Sequence, residues 1–292
     1  MATENNSKTF NHVERRTAMA SIGMLLCSML SSSVFAQDAG GMEYPMSVVA
    51  NKQGVLFVAD RNLPGIWKWE SGKLTRWVSG QKQFRTPLNA IRCLAIDQQG
   101  NVLAGDSATR EIYRIDAQGS MKALTGGKIG IPVAMGVDSS GVIYVADLER
   151  QCIFQLPSDG SAPVEWVKVQ AARGLYVDGE DRVWVLSHSS QPLVRYTKEK
   201  KSDVILDRGM FEFSHHLVVD SQGVAFLCDG YGKSIWKIDA SGKPSKHFEG
   251  EPLKNPVGIA LMGNDLIIAD PHQRSVFRLP TEGDIQIRKV IP

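Results

Sequence analysis

One phrase recurs six times along this chain, and any fold it adopts has to accommodate six equivalent units. The clearest copy runs Val137-Asp138-Ser139-Ser140-Gly141-Val142-Ile143-Tyr144-Val145-Ala146-Asp147, with Ile153-Phe154-Gln155-Leu156 beginning six residues after Asp147. The closing aspartate recurs at Asp60, Asp106, Asp229 and Asp270, and Ser187 holds its place in one further copy. From Asp60 to Asp270 these markers stand 46, 41, 40, 42 and 41 residues apart. Each is followed in step by an alternating segment: Ile66-Trp67-Lys68-Trp69, Ile112-Tyr113-Arg114-Ile115, Leu193-Val194-Arg195-Tyr196, Ile235-Trp236-Lys237-Ile238 and Val276-Phe277-Arg278-Leu279 in the other five.

The physics of one copy specifies strands. A short apolar run such as Ala134 to Val137 meets a tight turn, where Gly54, Gly100, Gly141 or Gly223 admits a positive φ. A β-branched, aromatic-rich run follows, then the alternating segment, then a weaker fourth strand such as Leu74 to Val78 or Ile287 to Ile291. Four antiparallel strands per copy, with no helical period anywhere, describe one propeller blade. A lone blade cannot bury both faces; six packed in a ring can. The expectation is an all-β, six-bladed β-propeller of four-stranded antiparallel blades over 44–292. The blades fall near 44–86, 87–130, 131–169, 170–211, 212–253 and 254–292. Trp67, Tyr113, Phe154, Trp236 and Phe277 read as packing between blades, and the marker aspartate as an acceptor for backbone amides of the loop after it. The last copy already holds four strands, so the ring should close by packing blade six on blade one, with little or no strand contributed from 37–42.

The pattern resembles the NHL repeat and, more broadly, propellers of the gluconolactonase/SMP-30 and streptogramin-lyase type, over about the whole of Glu43 to Pro292. The resemblance implies the fold. It leaves function open, because such families include hydrolases, lyases and plain binding modules.

Ahead of the repeats, Met1 to Asn11 is polar, Arg15-Arg16 precedes an apolar stretch from Ala18 to Phe35, and Val34 and Ala36 are small residues flanking a cleavage point. This is the layout of a cleavable secretory signal over 1–36, leaving a short segment at 37–43. The product would be secreted or periplasmic, with no stable membrane span and monomeric. The arginine pair hints at the twin-arginine route, although Ala18 and Met19 are not the bulky residues usual there. Leu26 before Cys27 argues against lipidation. Cys93, Cys152 and Cys228 then remain, an odd set at positions other copies fill with small residues, so they read as buried side chains and not as a disulfide framework. A formal net charge of +2 with no long basic run gives no support to nucleic-acid binding.

Strand parity places the start of each first strand and the loop after each marker on one face of the ring, with the Asp-x-x-Gly turns on the other. The first strand lines the central channel, so its opening residue stands at the channel mouth: Met46, Arg92, Val133, Arg173, His215 and Val257 in the six copies. The loop position after the marker holds Arg61, Ser107, Leu148, His188, Gly230 and Pro271. Copies four and five depart most from the repeat, carrying Ser187, His188, Arg173, His215 and His216, and departures from a repeat's own rule are expected where function overrides it. Arg92, Arg173, His188, His215 and His216 are therefore the candidate ligand-binding residues. Arg92, Arg173 and His215 would suit a carboxylate, phosphate or other anion. The bland alternative is a wet channel mouth whose polar residues have no ligand.

Gluconolactonase-like propellers hold a divalent metal with Glu, Asn and Asp from the inner strands. Glu43-Tyr44-Pro45 is similar to that family's Glu-x-Pro opening, which makes Glu43 a metal-ligand candidate by resemblance. The remaining ligand positions are held by Arg92, Val133, and Arg173 or His215; a guanidinium does not bind a cation and valine has no lone pair. A divalent metal is accordingly disfavoured. No Gly-x-Ser-x-Gly, His-Glu-x-x-His, phosphate loop or Cys-x-x-Cys is present. Three readings follow. The first is an exported binding module for a small anion, a glycan or a protein segment. The second is a hydrolase or lyase with His188, His215 and Arg173 as catalytic candidates. The third is a cell-envelope scaffold.

Overall fold

The computed structural model describes residues 41–292. The signal segment at 1–36 and the start of the segment at 37–43 lie outside them.

The described chain forms 24 strands and no helix, and each sheet is built from four consecutive strands in chain order. The first sheet comprises β1 (Pro45–Ala50), β2 (Leu56–Asp60), β3 (Gly65–Glu70) and β4 (Lys73–Ser79). The second holds β5 (Ile91–Ile96), β6 (Val102–Asp106), β7 (Glu111–Ile115) and β8 (Met121–Ala123). The third holds β9 (Pro132–Val137), β10 (Ile143–Asp147), β11 (Cys152–Leu156) and β12 (Val164–Lys168). The fourth holds β13 (Ala172–Val177), β14 (Val183–Ser187), β15 (Leu193–Tyr196) and β16 (Ser202–Leu206). The fifth holds β17 (Ser214–Val219), β18 (Ala225–Asp229), β19 (Ser234–Ile238) and β20 (Pro244–Glu249). The sixth holds β21 (Gly258–Met262), β22 (Asp265–Asp270), β23 (Ser275–Pro280) and β24 (Arg288–Ile291). All pairings are antiparallel, and the chain is a six-bladed β-propeller.

Burial follows from radial position. The second strand of every sheet lies between two others within its blade and is packed on both faces, so β2, β6, β10, β14 and β18 are buried at every residue. Their β-branched and aromatic composition suits that double burial. The outermost strands, such as β8 and β16, are mostly exposed. Trp67, Tyr113, Phe154 and Phe277 are buried in the core, whereas Trp236 is only partly so. The ring closes where Val48, Leu56, Val58 and Trp67 of the first blade pack against Ala260, Ile267, Ala269 and Ile291 of the last. Gly41 and Met42 are not in a strand; residues 37–40 lie outside the described part.

The turns between first and second strands, on one face, share one mechanism in five of the six blades. Asp97, Asp138, Asp178 and Asp220 each accept two backbone N–H bonds from residues two and four positions ahead, and Asn51 does the same through its Oδ1. The chain then reverses through a left-handed residue, Gly141 at φ 83° for example. In the fourth blade Asp181 takes that conformation at φ 61°, a role open to a short polar side chain. Cys93, Cys152 and Cys228 are free and buried, and burial raises the pKa of each thiol.

Candidate functional site

The opposite face is organised by the marker aspartates. Asp60 accepts from the backbone amides of Asn62 and Leu63 in the loop ahead, and also from Glu43 and Tyr44, which lead into β1 of the same blade. Asp147 binds Glu149 and Arg150 ahead and Gly130 and Ile131 behind; Asp270 binds His272, Gln273, Lys254 and Asn255 in the same way. The sequence pointed to the loop ahead. The second set follows from the antiparallel pairing of the first and second strands, which sets the residues before Pro45 beside Asp60. A carboxylate with several amide donors is a satisfied buried charge. Each therefore fixes the loop and the strand start that together form the channel mouth. In the fourth blade this staple is missing: Ser187 bonds only Ser189 and the carbonyl of Gln191.

The mouth residues owe their direction to a β-bulge. The first strand slips by one residue against the second between Pro45 and Ser47, Ile91 and Cys93, and Ala172 and Gly174, and by the same step around Val133. In the fifth blade the slip spans Ser214 to Leu217 and takes in both His215 and His216. Met46, Arg92, Val133, Arg173 and His215 are thus the unpaired residues of bulges, which re-aim side chains out of the strand alternation.

The structure brings Arg92, Arg173, His188 and His215 into one neighbourhood. Burial first, and then the charges of Arg61 and Arg173, lower the pKa of Arg92; burial lowers that of Arg173. His215 is pushed down to about 4 by burial, followed by the nearby Arg173, His188 and His216. His188 is also lowered, chiefly by burial. The Arg92 Nε donates to Ser107 Oγ at 2.9 Å, and the His188 Nε2 lies 2.8 Å from the Ser214 carbonyl oxygen. Five arginines of the described residues are neither buried nor fully exposed: Arg92, Arg114, Arg173, Arg182 and Arg195. Three of them pair with carboxylates, Arg114 with Asp97, Arg182 with Asp178 and Arg195 with Asp203. Among the described residues Arg92 and Arg173 have no acidic partner.

His215 and His216 diverge. The His215 ring lies over Gly230, where a Cβ would stand 2.9 Å from its Nε2 and 2.5 Å from Asn255 Oδ1. Glycine there makes room for both atoms, and neither has a hydrogen-bond partner. His216 instead lines the channel itself, a cavity of about 260 Å³ bounded by Val48, Leu94, Met135, Leu175 and Ile259 from the other five first strands. Both its ring nitrogens are covered and unpartnered, and burial lowers its pKa to about 4.

Several neighbours escaped sequence reasoning. Phe213 carries the Arg173 guanidinium at 5.2 Å from its ring centre, with His188 at 4.5 Å, His215 at 4.9 Å and Tyr231 at 4.9 Å. Its backbone amide bonds Asp229 as that of Tyr44 bonds Asp60, so the two hold equivalent places. Tyr44 has the Arg61 guanidinium 6.0 Å from its ring centre and the His272 ring at 6.3 Å. The available signal was positional: aligning the residue sixteen before each marker would have singled out Tyr44 and Phe213.

A divalent metal does not fit this donor set. No group of three or more His, Cys, Asp or Glu able to hold an ion occurs among the described residues, and two of the inward positions carry guanidinium groups that would repel one. Glu43 engages Asp60 through its backbone amide, and its carboxylate forms no ion pair among the described residues.

No protein-family model matches the sequence, and comparison with curated proteins finds no match. Solved structures do. A gluconolactonase from Xanthomonas campestris superposes with a TM-score of 0.70 at 15% identity, covering 82% of this chain and 86% of its own. Virginiamycin B lyase from Staphylococcus aureus gives 0.62 at 17% identity, covering 86% and 85%. A chain of the nidogen–laminin complex gives 0.66 at 16% identity, covering 77% and 88%. The likeness to gluconolactonase and streptogramin-lyase propellers therefore holds for the fold, at identities that leave the activity to be argued from the mouth itself.

Proposed function

We propose that the protein is an exported, NHL-type propeller that binds a small anion at its channel mouth. The observation that carries this reading is the pair of half-buried, unpaired guanidinium groups of Arg92 and Arg173. An unpaired charge held partly out of water is costly, and an anionic ligand offsets that cost through charge-assisted hydrogen bonds. His215 adjoins the pair as a neutral imidazole, its Nε2 covered and without a protein partner. The export half of the proposal rests on the Arg15-Arg16 pair and the apolar run to Phe35. The test is a titration of the folded protein with acetate and with inorganic phosphate, followed by calorimetry and by the His215 ring resonance. Saturable binding should weaken with salt and fall at least about tenfold in Arg92→Gln and in Arg173→Gln. Absence of saturable binding by both anions refutes the reading and leaves the hydrolase or lyase and the scaffold.

A second reading is favoured by one feature. His215 is a neutral base at pH 7 beside a cation, which is what proton abstraction with stabilisation of the resulting negative charge requires. A hydrolase or lyase working this way loses all turnover found in a screen of lactones, esters and lyase substrates in His215→Ala and in Arg173→Ala. Equal rates in the variants and the parent protein eliminate it.

A further inference from the structure

We infer that the anion recognised at the mouth carries a flat aromatic body, so that the ligand class is an aryl carboxylate. This rests on the anion reading above and adds a second requirement to it. Phe213 is the hub. Three rings and one guanidinium surround it, from blades four and five: His188, His215, Tyr231 and Arg173. Tyr231 is 64% exposed, one of few large apolar side chains in the described residues that face solvent. It stands between Gly230 and Gly232 in the loop that Asp229 holds through the Gly232 amide. The equivalent positions of the other blades carry Asn62, Ala108, Glu149, Ser189 and His272, so the repeat does not call for an aromatic there.

An exposed tyrosine beside a half-buried phenylalanine, with their planes 35° apart, leaves an aromatic surface open at the edge of the cationic mouth. Arg173 links the two halves. Its guanidinium lies 5.2 Å from the Phe213 ring centre; the Nε is covered, and the two terminal nitrogens, which form no ion pair among the described residues, are the donors for a carboxylate lying alongside the ring wall. A ligand ring packed on Tyr231 and the rim of Phe213 would place a directly attached carboxylate at Arg173, with Arg92 contributing from the second blade. An aliphatic acid of equal size would make the charge contacts without the stacking. An aromatic alcohol would stack and leave the guanidinium groups unpaired.

The experiment compares benzoate, cyclohexanecarboxylate and benzyl alcohol as probes, by calorimetry on the folded protein at pH 7.5. Benzoate should bind about three- to tenfold more tightly than cyclohexanecarboxylate, and benzyl alcohol should show no saturable binding. Tyr231→Ala should bring benzoate down to the affinity of cyclohexanecarboxylate, and Arg173→Gln should remove both. Met121→Ala, on an outer strand of the second blade, should change nothing. Equal affinities for the two acids in the parent protein overturn the inference while preserving the anion reading, as does a benzoate preference that survives Tyr231→Ala. Failure of both acids to bind overturns the anion reading itself.

Discussion

Acidification should weaken this propeller in part through the buried imidazole of His216, and one substitution should remove that part. His216 lines the channel with both ring nitrogens covered and unpartnered. The only other titratable residue around that cavity is Tyr176, with His215 and its neighbour Arg173 standing above it; no carboxylate is there to stabilise an imidazolium. In the folded protein burial holds the pKa at about 4, against about 6.5 in the unfolded chain. The depressed group is a base, so the unfolded state takes up the proton first as pH falls. The contribution of neutral His216 to stability is complete above about pH 6.5 and drains away as pH drops toward 4. Between pH 7 and about 4.5 the loss is about 2 kcal/mol, an order-of-magnitude figure. Urea unfolding at the two pH values, in the parent protein and in His216→Leu, isolates it, because every carboxylate contribution is common to both. The variant should lose about 2 kcal/mol less than the parent over that interval. Equal losses refute the reasoning, and so does a His216 ring that titrates near 6.5 by nuclear magnetic resonance in the parent protein, a measurement that stands even if the variant does not fold.

Asp147→Ala strips the acceptor from four backbone amides at once. It should cost about 3 kcal/mol in urea unfolding, and a cost below about 1 kcal/mol would show that the staple is dispensable. Ser187→Asp restores the repeat's own residue next to Ala172, its partner across the strand pair. The new carboxylate should accept backbone amides as Asp147 does and raise stability by about 1 kcal/mol in urea unfolding; unchanged stability would show that the acid alone does not rebuild the staple. Expression of the full chain in a bacterial host with export intact should yield a mature protein beginning at Gln37, read by mass spectrometry. An uncleaved chain would remove the signal-segment reading.

Architecture was legible because the repeat is written in residues whose roles are local. The turn glycine, the apolar second strand and the aromatic in the third recur in step in all but the fourth copy, which has Asp181 in the turn and Val194 in the third strand, and six copies in register leave little choice of topology. The mouth was legible in part. Aligning the copies named Arg92, Arg173, His188 and His215, and the ring does bring them together. The bulge that turns these side chains out of the strand was not visible, since it appears only in how β13 pairs with β14, for instance. Phe213, Tyr231 and Asn255 were hidden for a different reason. Each comes from a loop at the mouth, and only the place sixteen before the marker, shared by Phe213 and Tyr44, offered a positional signal.

Ser187 shows how a repeat can yield a site by omission. In five blades the marker carboxylate lies at the mouth, yet its charge is consumed by backbone amides, so it supports the loops without drawing in nearby cations. In the fourth blade the acid is absent: Ser187 stands opposite Ala172, its hydroxyl bonds Ser189 and Gln191, and the guanidinium of the next residue, Arg173, lies over Phe213. The local balance therefore shifts toward positive charge where the fourth and fifth blades meet, although the chain as a whole is almost neutral at +2. The same exchange removes the staple that holds the start of the first strand elsewhere, so the fourth blade gives up local rigidity in the place where it gains charge. That pairing of a lost structural contact with an unpaired guanidinium is the pattern expected of a ligand site, because a site selected only for stability would have kept the aspartate that five sister blades retain.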